Sequence, residues 1–345
     1  MKRWLFGAVA ALSLSCAACT GPRYVAQAGC GQLELVLGRR DLVAVVADPR
    51  TDPALAAVLA EVPAIKRFGR VHGLTPTTSY EQYVDVGADA VVWVVSAAEP
   101  LSFSTKTWVF PIVGSVPYLG WFDERDAREQ AAELEDEGWD VDLRGAGAYS
   151  TLGWFDDPVL STMLPEGADA LGELVDVVLH ESVHATVYVS GQSSFDESLA
   201  SYVAEKLTRR YLAERGPAGA AELAAYDDGL REANRRRKLL HDGHEELSRL
   251  YASRLPAAEK LERKARIVRE LERSVLASRP INNATLAQYK TYHADDGAFD
   301  ELFQACGADV GRMMKAIRRL SSADFQRPQQ TDMRPVLRTL VRRGC

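Results

Sequence analysis

The chain has 345 residues, of which 47% are apolar and 26% charged, and its net charge is −7. That composition excludes a disordered chain and predicts a globular one with one large core or two modest ones. An acidic chain without a basic face also excludes a binder of phosphate backbones, so no nucleic acid is expected as a partner.

At the N-terminus, Met1-Lys2-Arg3 precedes an apolar run from Trp4 to Leu14 and then SCAAC. This is the order of an export signal, and the run is too short to span a bilayer. Residues 1–18 are therefore expected to be a signal peptide of the lipoprotein type, with Cys19 as the lipidated residue of the mature chain; Cys16 is the competing position. The expected location is exported and periplasmic, with the membrane as partner only through that lipid. Residues 19–345 would then form one domain. Beyond Cys19 remain Cys30, Cys306 and Cys345, which permit at most one disulfide within the chain, and spacing does not choose the pair.

From 32 to 72 the apolar spacing predicts helices, with Thr51-Asp52-Pro53 as a helix start. From 90 to 122, Val, Trp, Phe and Tyr punctuated by Gly and Pro predict strands and tight loops. A helix over 124–139 with a glycine stop follows, then a strand in DVDLRG and a loop over 146–159. Beyond Leu171 the pattern is mostly helical, and the charged stretch from Gly229 to Leu276 reads as a helical hairpin. The expected fold class is α+β: a mixed N-terminal part with a small sheet, then a mostly helical C-terminal half.

The chemistry lies in LHESVHATVYVSGQSSFDESLA, residues 179–200. His180 and His184, four apart on a helix, can reach one metal ion, and Glu181 can reach the water that such a metal activates. The flanking turns are apolar, so buried imidazoles there need satisfying, and a metal does that. Glu197, beyond a glycine-containing break, is the candidate third ligand. The alternative is a capping box in which Glu197 bonds the Ser194 backbone, although Ser193 with Asp196 could cap the same helix and leave Glu197 free. Zinc suits the ligand set best, one ion per chain. Asp176, one turn before His180, is placed to accept an imidazole N–H.

Other groups are weaker. His241 and His244 have metal-like spacing but read as a solvated turn, and His72 as a surface or packing residue. Tyr289, Tyr292 and His293 are candidates to support an oxyanion, with structural tyrosines as the alternative.

FDESLA after HESVHATVYVSG, together with AYSTLGWFDDPV, WVFPIVGSVPYLGWFDE and INNATLAQYKTYH, resembles the aminopeptidase family of bacterial lipoproteins, HExxH zinc metallopeptidases of gluzincin-like type. The resemblance runs from about Cys19 to Leu302. It implies His180, His184 and Glu197 as zinc ligands, Glu181 as catalytic base and a peptide as substrate. Asp196 departs from the family's usual Asn, and HESVHA from the more apolar HELAHQ. No GxMEN-type segment for the substrate amine occurs, so Asp156, Asp157 and Asp196 are the candidates for that role. Tyr149 and Trp154, in the aromatic loop 149–155, are candidates to line a side-chain pocket. Two rival functions are a non-catalytic envelope lipoprotein with a structural zinc and a zinc endopeptidase of envelope proteins. Oligomeric state is not legible.

Overall fold

The structure is a computed structural model that describes residues 20–110, 114–147, 156–164, 170–289 and 296–345. In chain order, α1 (Thr20–Leu37) and β1 (Arg40–Asp41) lead into α2 (Leu42–Ala47), α3 (Pro53–Leu59) and α4 (Val62–Val71). The Asp52 side chain accepts from the amides of Ala54 and Leu55, which with Pro53 in the first turn starts α3 where the sequence predicts. Strands β2 (Gln82–Val84), β3 (Val92–Ala98), β4 (Trp108–Phe110), β5 (Gly114–Val116) and β6 (Leu119–Trp121) precede α5 (Glu124–Asp136), capped by Asp123. Then come β7 (Asp140–Ala146), β8 (Val159–Leu160), α6 (Ala170–His184), α7 (Ser193–Glu214), α8 (Ala220–Ala252), α9 (Ala257–Ser274), α10 (Asn283–Ala287), α11 (Asp296–Ala305), α12 (Val310–Ile317) and α13 (Arg334–Arg343). The chain is thus α+β, with small sheets and a helical C-terminal half, as expected.

The chain divides into two compact units. The first comprises 1–39, 86–149 and 239–290, the second 40–85, 150–238 and 291–345. In the first, β3 is the middle strand of an antiparallel sheet between β6 and β7, and Val95 faces both Leu119 and Leu143 across it. Val95, Leu119, Trp121, Leu134 and Val141 bury one face of that sheet against α5. A second cluster of the same unit joins Leu240, Leu247 and Leu250 of α8 to Val268 and Leu271 of α9, which makes the expected helical hairpin.

That hairpin corrects one expectation. His241 and His244 lie inside α8, not in a solvated turn. Helix continuity turns His244 inward, where it is 4% exposed and stacks on Phe103 at 4.0 Å, while His241 Nδ1 lies 2.9 Å from the Tyr289 carbonyl.

In the second unit, α6 and α7 pack against each other as an antiparallel pair. Leu174, Val178, Leu179 and Val183 of α6, and Phe195, Leu199, Val203 and Leu207 of α7, are completely buried. β2 pairs in parallel with β8, Tyr83 facing Val159 and Val84 facing Leu160. Cys306 and Cys345 form a disulfide in this unit, and Cys30 is exposed and free, which settles the pairing that spacing left open. Among the described residues, no helix is long and apolar enough to cross a membrane.

Candidate metal centre

The apolar side of α6 fixes the rotation of the helix. With Val178, Leu179 and Val183 held in the core, Asp176, His180 and His184, at successive four-residue steps, share the other side. The chain then turns at Gly191, where φ is +77°, a conformation that suits glycine. Gln192 anchors the turn twice: its amide donates to the Arg327 carbonyl at 2.8 Å and its carbonyl accepts from the Gln330 amide at 3.0 Å. α7 starts at Ser193, with Gln192 as its N-cap and no side-chain cap bond. Neither capping arrangement open in the sequence is formed.

Asp196 instead holds the turn from the other side, its Oδ1 accepting from the Val189 amide at 2.9 Å. At 2% exposed it is buried, and burial pushes its carboxyl pKa up despite that bond. Asp196 is therefore occupied with structure. Its neighbour Glu197 faces α6. His180 Nε2 lies 3.4 Å from one Glu197 oxygen and His184 Nε2 lies 3.5 Å from the other, and the two imidazole nitrogens are 3.2 Å apart. One candidate ligand atom from each of the three residues falls within 4.8 Å of the others.

The electrostatics follow from that convergence. Hydrogen bonds from His180 and His184 hold the Glu197 carboxyl down to about 2 against the cost of its desolvation. For His184, burial works against protonation, but the Glu197 hydrogen bond and the charges of Glu197, Glu181 and Asp196 outweigh it and raise the imidazole pKa. Burial raises the Glu181 carboxyl; the two histidines oppose this, while Glu197 and Asp157 add to it. Two imidazoles and one carboxylate converging without a better mutual hydrogen-bond geometry are a donor set that fits a zinc ion.

Two further groups surround Glu181. The Tyr80 amide donates to the Asp157 carbonyl at 2.7 Å and the Asp157 amide to Ser79 Oγ at 3.1 Å, so the segments before β2 and β8 are tied together. Tyr80, with φ of +66° and 2% exposed, is buried within electrostatic range of Glu181 and Asp157; burial first, then those charges, push its pKa well up. Asp157 is buried too, at 7%. Asp156 is exposed and accepts a hydrogen bond from Thr78. The sequence offered no signal for Tyr80, because a tyrosine with positive φ, 101 positions from Glu181, leaves no periodic trace. Behind His180, Asp176 accepts from the Tyr226 hydroxyl at 2.6 Å; burial raises its pKa, which that bond and His180 lower. Tyr226 was also not anticipated.

The remaining expected site residues are placed as follows. Tyr289 belongs to the other unit, and its carbonyl faces His241. His72 is half-buried against Phe68, with ring centres 4.2 Å apart. Cys19, Tyr149, Trp154, Tyr292 and His293 lie outside the described residues.

A family model described as "Putative aminopeptidase" matches residues 23–331. No curated protein and no solved structure matches the chain.

Proposed function

From the premise that the chain belongs to this aminopeptidase family, we propose that it is a zinc-dependent peptide hydrolase that removes N-terminal residues, with Glu181 as general base. The observation that carries the reading is the convergence of His180, His184 and Glu197 within 4.8 Å, next to the buried Glu181.

His180, His184 and Glu197 would hold the ion, which supplies Lewis acidity to activate water and to polarise the scissile carbonyl. The protein's own groups do the rest. Glu181, fixed on the turn of α6 between the two histidines, receives the proton of the attacking water on its carboxylate and delivers it to the departing amine. Burial favours the neutral carboxyl, which makes it a better proton acceptor than an exposed glutamate. Tyr80 and Asp157, both buried, lie within electrostatic range of Glu181. Asp196 keeps the turn closed, so that Glu197 stays aimed at the histidines. An N-terminal lipid at Cys19 would tether the chain to a membrane.

The Glu181→Gln variant tests the mechanism. It should lose hydrolysis of short peptides by about 10²- to 10⁴-fold and keep its zinc, read by assay and metal content on the same sample. Normal hydrolysis by the variant would remove Glu181 from the mechanism.

A further inference from the structure

A cleft of about 360 Å³ opens between α6, α7 and α8 of the second unit. Its lining includes Asp176 on α6, Ser198, Ser201 and Glu205 on α7, and Tyr226 on α8. Asp176 stands one turn before His180. Ser201 and Glu205 stand one and two turns after Glu197, on the same side of α7. α6 and α7 are consecutive helices packed on each other across the short turn at Gly191, so these steps run back from the turn along both helices, and the cleft is lined one turn beyond His180 and Glu197.

The cleft carries charges of both signs, but most are already matched. Asp300 takes the Tyr202 hydroxyl and pairs with Lys206 at 3.0 Å, and Arg209 bridges Glu205 and Asp227. Among the described residues, no lysine or arginine pairs with Asp176. Its one recorded hydrogen bond comes from Tyr226, which is 2% exposed and so fixes the carboxylate from the protein side. Gly172, one turn before Asp176, makes this possible: a Cβ there would stand 3.0 Å from Tyr226 Cβ and 3.1 Å from its ring. A side chain at 172 would require the tyrosine to shift by a few tenths of an ångström.

Resting on the reading of the site as a peptide hydrolase, we propose that this cleft takes the N-terminal residue of a peptide, with Asp176 receiving its α-ammonium group. Four residues of helix rise about 6 Å, and an α-ammonium lies two bonds from the carbonyl under attack. A carboxylate one turn from the ligands is therefore in reach of it, whereas Glu205, two turns away and held by Arg209, is not. Of the three acidic candidates read from sequence, Asp196 is buried and holds the Val189 amide, Asp156 is exposed and holds Thr78, and Asp157 is buried where its backbone ties the segments before β2 and β8. Asp176 is then the residue that makes the enzyme read a free amine.

The test uses the full zinc-loaded chain and calorimetric binding of a phosphinic pseudodipeptide, which is not hydrolysed, beside its N-acetylated twin. The parent should bind the free-amine ligand at least tenfold more tightly than the twin, and Asp176→Asn should abolish that preference while keeping its zinc and its affinity for the twin. Equal affinity of the parent for both ligands would overturn the proposal without any variant having to fold, and so would binding of neither. An Asp176→Asn protein that keeps the preference would move the amine site elsewhere. One that weakens both ligands equally, or loses zinc, would make Asp176 a positioning residue for His180. Hydrolysis by the parent is measured apart from these affinities, so failure of the hydrolase reading and failure of the amine assignment give different results.

Discussion

His184 carries the sharpest consequence at the scale of single residues. A metal ligand must give up its proton, and here the surrounding carboxylates of Glu197, Glu181 and Asp196 hold the imidazole proton above the ordinary value of 6.5. Glu197, held down to about 2, adds no such competition at neutral pH. The sign is therefore fixed by the histidine: protons compete with the metal below the raised value, and the competition vanishes above it. Zinc affinity measured with a competing chelator should be flat at alkaline pH and fall steadily once pH drops through the raised value of His184, earlier than for an ordinary imidazole. An affinity that does not change between pH 8 and pH 5.5 would mean that His184 is not a ligand. The same residues show what sequence can carry. The convergence of His180 and His184 is legible because one helical turn separates them, and that of Glu197 because a glycine break precedes a resumed helical period. Asp157 is a candidate in the sequence only through its motif, while Tyr80 and Tyr226 reach the region from other segments, and their placement depends on a positive φ and a glycine contact that leave no local pattern.

At the scale of elements, the centre depends on the hairpin of α6 and α7. Phe195, one turn into α7 and two residues before Glu197, is wholly buried and meets the Phe325 ring at 5.2 Å and the Phe299 ring at 6.1 Å. Truncating such a ring leaves a cavity that costs about 3 to 5 kcal/mol. Phe195→Ala should lower the unfolding free energy by that amount, read as a lower denaturant midpoint at unchanged slope, and weaken zinc binding, because the first turn of α7 loses the packing that aims Glu197. Unchanged stability would show that the turn is held by the Gln192 and Asp196 bonds alone. The elements themselves are mostly visible in the sequence: the Asp52 helix start, the aromatic strands within 90–122 and the charged hairpin all appear where composition puts them, whereas the Asp123 cap has no counterpart in that reading. The start of α7 is left open by the sequence because serines and acidic residues around 193–197 allow two caps; neither forms, and Gln192, held by its tertiary bonds, takes the N-cap position. Local pattern also misplaces His241 and His244 in a turn: Asp242-Gly243 is a turn signal locally, but helix packing against Leu271 overrides it. Gly243 is needed there, since a Cβ would come within 2.6 Å of that leucine.

At the scale of the whole molecule, all the residues of the proposed chemistry fall in one compact unit built from three separate stretches of chain. That is why no linker or composition shift announced a boundary: the units interleave along the sequence. The second unit also contains the Cys306–Cys345 disulfide, whose two cysteines lie 39 positions apart. The proposed chemistry requires this unit to bind one metal ion through His180, His184 and Glu197. Elemental analysis of the purified protein, beside His184→Ala and Glu197→Ala, measures that directly. One zinc per chain in the parent, lost in both variants, is the predicted result. A parent that retains no metal after zinc is supplied and the excess removed, or variants that bind zinc as the parent does, would contradict it.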